Sequence, residues 1–172
     1  MAEHYSKLAQ DHHQVKLLNV GDMRFDLNLV DGYETALVLE PDLVEFQALL
    51  IWAEHIVIIV PVWWGTMPAK FKALIDRTFL PGFAFKYTKG KTIPDKLLKG
   101  RSSELIFTMD TPPLWYKIVQ GDPIYKNLKH TILDFVGIKN ITSMYFGPVL
   151  HSEEKTRKVW LDKVSKRVSQ LK

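Results

Sequence analysis

The residues best suited to chemistry stand where an apolar run stops. Ile56 to Trp64 is uninterrupted and apolar, and it leaves through Pro61-Val62-Trp63-Trp64-Gly65-Thr66. Large flat rings at a strand's exit suit a flat apolar ligand. The packing alternative is that one ring of the pair belongs to the core. A second stretch, Thr108-Met109-Asp110-Thr111, closes the apolar strand that starts at Glu104, and Pro112-Pro113 breaks it. Other chemistries find less support. The chain has no cysteine, so disulfides, thiolate nucleophiles and cysteine metal sites are excluded. His12, His13, His55, His130 and His151 show no pair at the spacing of a metal site on one helix, so no catalytic metal is expected.

The elements that would carry these stretches follow from periodicity. Residues 2–13 read as a helix with Tyr5, Leu8, Ala9 and His12 on one face. Val15 to Val20 reads as a short buried strand. Residues 21–40 read as a loop with turn signals at Gly21-Asp22 and Asp31-Gly32. Pro41 opens a helix with Leu43, Phe46 and Leu50 aligned. His55 to Val62 is a strand apolar on both faces, as parallel strands are. Thr66 is the expected N-cap of the next helix, with Pro68 in its first turn. Residues 80–102 are expected to be a connection, and Glu104 to Thr108 a strand. A helix near 123–136 is capped by Asp122 and stopped by Gly137. Ile141 to Phe146 is the last strand, and Ser152 caps a final helix carrying Leu161, Val164, Val168 and Leu171. Alternating strands and helices predict an α/β fold with an open, doubly wound parallel sheet in three layers. Such sheets bind ligands beyond the carboxyl ends of their strands, where both candidate stretches lie.

Composition bounds the rest. The 172 residues suit a single domain, 1–172, able to bury a core. A membrane-spanning helix needs about twenty apolar residues, and the longest run here has nine. The amino terminus lacks an apolar signal core, so the expected location is cytoplasmic. Net charge is +4, but the basic residues cluster only towards the end, from Lys155 to Lys172. That pattern reads as a solvated helix face, and no nucleic-acid partner or membrane insertion is expected.

Three blocks then carry a resemblance: Pro61 to Ala69, Lys72 to Phe79 and Pro81 to Ala84. With Thr108 to Pro113, they resemble the flavodoxin-like NAD(P)H:quinone oxidoreductases, also called the flavodoxin-2 or modulator of drug activity family. The resemblance runs from about residue 2 to 170. It implies a flavodoxin-like fold, a flavin (FMN or FAD), NAD(P)H as co-substrate and a quinone acceptor, with hydride passed in ping-pong order. It implies that Pro61, Val62, Trp63, Trp64, Gly65 and Thr66 lie against the flavin ring with main-chain amides toward its polar edge. Thr108, Met109, Asp110 and Thr111 would flank the ring from the next strand. Tyr116 falls at the family's catalytic tyrosine, as a donor to flavin or quinone, with an ordinary packing role as the alternative. The family's histidine position falls on Asp122. The family also implies a homodimer, with Phe83, Phe85 and Tyr87 either at the contact or covering the chain's own site.

The chain departs from the family at its start. Met1 to Tyr5 aligns inside the family's first helix, so the first strand, central in the 2-1-3-4-5 order, and its flavin-phosphate loop have no counterpart. Three expectations compete: a start inside a longer reading frame, a strand 15–20 shifted inward to pair with 55–62, or a strand lent by another chain. In each case the charge-assisted phosphate grip is lost and flavin affinity should fall. The functional alternative is then a catalytically impaired regulatory or ancillary subunit that binds another protein. An electron carrier of the flavodoxin type is disfavoured by the basic charge.

Overall fold

The computed structural model describes residues 1–29, 32 and 38–171. Asp31 of the expected turn and Lys172 lie outside them. The elements are α1 (Ala2–Ala9), α2 (Pro41–Trp52), β1 (His55–Pro61), α3 (Ala69–Thr78), β2 (Phe85–Lys86), β3 (Asp95–Lys96), β4 (Ser102–Thr108) and α4 (Pro113–Ile118). After them come α5 (Pro123–Lys126), a π-helical stretch (Asn127–Leu133), α6 (Asp134–Val136), β5 (Lys139–Phe146) and α7 (Glu154–Val168).

The main sheet is parallel with order β1-β4-β5. Alternation on β4 sorts its side chains to two faces. Leu105 and Phe107 join Ile75, Tyr116, Ile124 and Leu128 in one core. Ile106 joins Tyr5 and Ala9 of α1 and Val164 and Val168 of α7 in another. Helices therefore cover both faces, which gives the three expected layers.

β1 differs from β4 although it is the more apolar of the two strands. Five of β4's seven residues are buried, whereas only Val60 of β1 is. The cause is an open edge. The β1–β4 ladder is bracketed by Ser102 N–H to Glu54 O (3.0 Å) and Val62 N–H to Thr108 O (2.8 Å). Even-numbered residues of β1 thus face β4, and His55, Val57 and Ile59 turn their backbone groups the other way. Among the described residues no strand pairs with that edge. A cavity of about 1140 Å³ runs along it, lined by Tyr5, Ala9, Val15, Leu18, Leu128 and Ile132 among others.

That cavity corrects the strand expected at 15–20. The segment has strand-like composition but no ladder partner, so it is irregular; a strand is defined by its neighbour, not by its own pattern. It did not shift inward to pair with β1. The first helix stops at Ala9 instead of residue 13, finishing in a turn closed by His13 N–H to Ala9 O.

Three expected caps are also corrected. Pro68, not Thr66, precedes α3, because both main-chain groups of Thr66 pair with Trp63. Glu153 precedes α7, and Ser152 Oγ donates to Val149 O. Asp122 precedes α5 but makes no cap bond, because its carboxylate accepts from Tyr145. The connection at 80–102 holds a small antiparallel pair, β2 with β3. Phe85 there is buried, its ring 5.5 Å from that of Tyr87 and 5.1 Å from that of Phe135, while Tyr87 is exposed.

Candidate functional site

β1 and β4 leave the sheet side by side. Beyond β1 the chain turns within four residues: Trp63 N–H donates to Thr66 O (2.8 Å) and Thr66 N–H returns to Trp63 O (3.0 Å). Trp64 and Gly65 at the centre have φ of 50° and 77°. Two consecutive positive φ values are the signature of a type I′ turn. Glycine takes this conformation freely; tryptophan does so rarely. Trp63 is 60 % exposed and Trp64 103 % exposed, so neither ring is core.

Beyond β4, Met109 is buried and belongs to the core. Its N–H donates to Phe146 O and its carbonyl accepts from Val149 N–H, both at 3.0 Å. Asp110 accepts from Leu150 N–H at 2.7 Å. The loop after β4 is therefore lashed to the exit of β5. Among the described residues, the N–H groups of Trp64, Gly65, Asp110 and Thr111 donate to no protein acceptor. Four such donors at two adjacent strand exits, beside two solvent-facing indoles, suit a planar ring with an acceptor edge.

Residues 1–168 match the family model described as a flavodoxin-like fold. The chain belongs to the flavodoxin-2 family. The ribosyldihydronicotinamide dehydrogenase [quinone] of Rattus norvegicus is 31 % identical over 84 % of this chain and 63 % of its own length. The FMN-dependent NADH:quinone oxidoreductase 2 of Listeria innocua is 28 % identical over 62 % of this chain and 49 % of its own. The crystal structure of Smu.1420 from Streptococcus mutans UA159 superposes with a TM-score of 0.76 at 26 % identity, covering 99 % of this chain and 92 % of that one. The chain thus spans less than two thirds of these curated relatives. No helix among the described residues is long and apolar enough to cross a membrane.

In this flavodoxin-2 chain, Tyr116 sits behind the turn and is fully buried. Its hydroxyl donates to Gly65 O (2.8 Å) and accepts from Ile124 N–H (3.0 Å). The proton expected to reach a flavin or quinone is therefore bound to the protein's own backbone, and the hydroxyl faces the turn. Burial pushes the Tyr116 hydroxyl above its ordinary pKa, against the Ile124 N–H, with the Asp122 charge adding to the rise. Asp122, itself at a φ of 55°, accepts from Tyr145 Oη at 2.7 Å. Burial, then that bond, pushes the Tyr145 hydroxyl up as well. Lys117 Nζ lies 3.7 Å from the centre of the Tyr145 ring.

Sequence reasoning placed the two exit loops and missed what fastens them. Gly147 and Tyr145 carried no local signal. A separate polar site, Glu104 with Arg167, was announced only by the one acidic residue of β4.

The turn makes a prediction of its own. Trp64→Asn installs an Asn-Gly pair, the sequence that best tolerates two positive φ values. Trp64 packs on nothing, so relief of left-handed strain should raise stability by about 1 kcal/mol. Urea unfolding measures this, and a variant less stable than the parent would show that the indole is held by contacts.

Proposed function

We propose that this chain binds FMN at the paired exits of β1 and β4 and is an FMN-dependent NAD(P)H:quinone oxidoreductase. The observation that carries the reading is the set of four unpaired N–H donors beside Trp63 and Trp64. The names of the rat and Listeria relatives point to the same chemistry. FAD presents the same ring and is the alternative cofactor.

Pro61 to Thr66 and Thr108 to Thr111 would hold the ring. The Gly65 and Thr111 N–H groups would meet its acceptor edge, and the exposed indoles would wall it from water. When bound, the flavin supplies the two-electron relay between a reduced nicotinamide and a quinone. One open face serving both co-substrates in turn makes the kinetics ping-pong. A homodimer is part of this reading, and it would use the 81–87 stretch, where Tyr87 is exposed, or the exposed apolar face of α4 with Leu114 and Ile118.

FMN, then FAD, is titrated into the chain while flavin fluorescence is followed. Saturable quenching is expected, as is quinone-dependent NADPH oxidation with parallel double-reciprocal lines. A chain that is folded by circular dichroism yet leaves flavin fluorescence untouched would overturn the reading.

A further inference from the structure

Three segments meet at one oxygen atom. The Tyr116 hydroxyl lies between the turn at 63–66, whose Gly65 carbonyl it binds, and the start of α5, whose Ile124 N–H binds it. Tyr116 also holds the segment before α5 through its own carbonyl, which accepts from Asp122 N–H at 3.3 Å. Asp122 is fixed in turn by Tyr145 of β5. A fully buried ring on a short helix thus joins the β1 turn to the rest of the carboxyl edge of the sheet.

The direction of the Gly65 carbonyl matters. A peptide unit is planar, so anchoring Gly65 O also fixes the neighbouring Thr66 N–H, which closes the turn on Trp63 O. With those groups used internally, the Trp64 and Gly65 N–H groups are left without protein acceptors among the described residues. Past the last ladder pair, Val62 N–H to Thr108 O ties the two exits through the main chain. The turn itself contains a tryptophan in a left-handed conformation, which an unconstrained chain would leave.

We infer that Tyr116 is a positioning residue: its hydroxyl, by holding the Gly65 carbonyl, sets the Trp63–Thr66 turn in its ring-binding shape before any ligand arrives. This rests on the flavin reading for what the turn binds, but not for the brace itself. The hydroxyl acts as a proton donor to the backbone and transfers no proton to a substrate. Preformed donors avoid the ordering cost that a mobile turn would add to binding.

Tyr116→Phe tests this in the full chain, since it keeps the ring and deletes only the hydroxyl. Two readouts are needed. Without flavin, amide hydrogen exchange by NMR should show Thr66 N–H exchanging several-fold faster than in the parent, with core amides of β4 unchanged. With FMN, the Kd should rise about three- to tenfold, and the pH profile of turnover at saturating FMN should keep its shape. A merely structural tyrosine would lower the unfolding midpoint and leave Thr66 exchange, relative to β4, where it was; that result overturns the inference. A catalytic proton donor would leave Thr66 exchange and FMN Kd alone and reduce turnover by about a hundredfold or more; that also overturns it. If the parent chain binds no FMN, the flavin reading falls, and the exchange measurement still decides the brace.

Discussion

Arg167→Ala is expected to cost this protein about 3 kcal/mol or more of folding stability. Glu104 lies in the middle strand of the sheet and is 0 % exposed. Arg167 of α7 reaches it with two nitrogens, Nε at 2.6 Å and one terminal nitrogen. Tyr5 Oη donates to the other carboxylate oxygen at 3.2 Å, and His55 Nε2 stands 3.6 Å away. The pair is not a net source of stability of that size, because both charges were taken from water to form it. Removing one partner is different, since it strands the other in an apolar layer. Arg167 is 21 % exposed and Tyr5 remains, so water and the phenol recover part of the loss, which places the expectation at the low end. A globular domain's whole stability is about 5–15 kcal/mol, so even that is a large fraction. Urea unfolding of the single variant and of Arg167→Ala with Glu104→Gln checks the cause. The second change should restore stability. A single variant within about 1 kcal/mol of the parent would mean that Glu104 is solvated or protonated in the folded state.

The same pair fixes how stability depends on pH. Burial pushes the Glu104 carboxyl up, but the Arg167 guanidinium bound to it and the His55 ring beside it outweigh burial, and the net shift is below the ordinary 4.5. The folded state then releases its proton more readily than the unfolded chain. The contribution of Glu104 is full above pH 4.5 and fades as pH falls through the lower folded value. In Arg167→Ala the strongest cation is gone and burial dominates, so the folded pKa lies above the unfolded one. The contribution then reverses: this variant is relatively most stable in acid and weakens as pH rises. The gap in unfolding midpoint between parent and variant should therefore widen as pH rises from about 3.5 to 7.

How far the fold was legible follows from the range of each signal. β4 and the helix at 41–52 announce themselves in consecutive residues, and Gly137 marks its helix end with a φ of 99°. The segment at 15–20 has the same local appearance as a strand, but hydrogen-bonded pairing is a property of two segments, and its neighbour across the cavity is too remote to pair. Caps fail for the opposite reason. Thr66 and Ser152 have the right side chains, but the main chain of Thr66 closes a turn on Trp63 and the Ser152 hydroxyl binds Val149 O, so neither caps the helix behind it. At the site, Trp63 to Gly65 could be placed because proline and glycine punctuate an apolar run. The role of Tyr116 could not, because whether its hydroxyl faces a ligand or Gly65 depends on contacts 51 residues apart. Glu104 and Arg167 are 63 residues apart and show the same limit.

Gly147→Ala should disrupt the candidate site from behind. Where β5 ends, the backbone passes so near the β4 exit that a Cβ on Gly147 would clash with Met109 O and stand 3.2 Å from Thr111 O. Neither atom can swing aside as the tip of a long side chain would. Met109 is anchored on both sides, its N–H on Phe146 O and its carbonyl on Val149 N–H, so relief requires the whole Met109–Thr111 loop to move. Overpacking of this kind costs about 1–3 kcal/mol, and more where the obstacle is main chain. The loop that must retreat carries the Thr111 N–H group proposed to meet the flavin edge, so the loss of FMN affinity should exceed what the fall in stability alone produces. Measuring FMN binding well below the variant's unfolding temperature separates the two effects. A variant with parental stability would show that the two strand exits can part without cost. A destabilised variant with parental FMN affinity would instead place the ligand against the β1 turn alone.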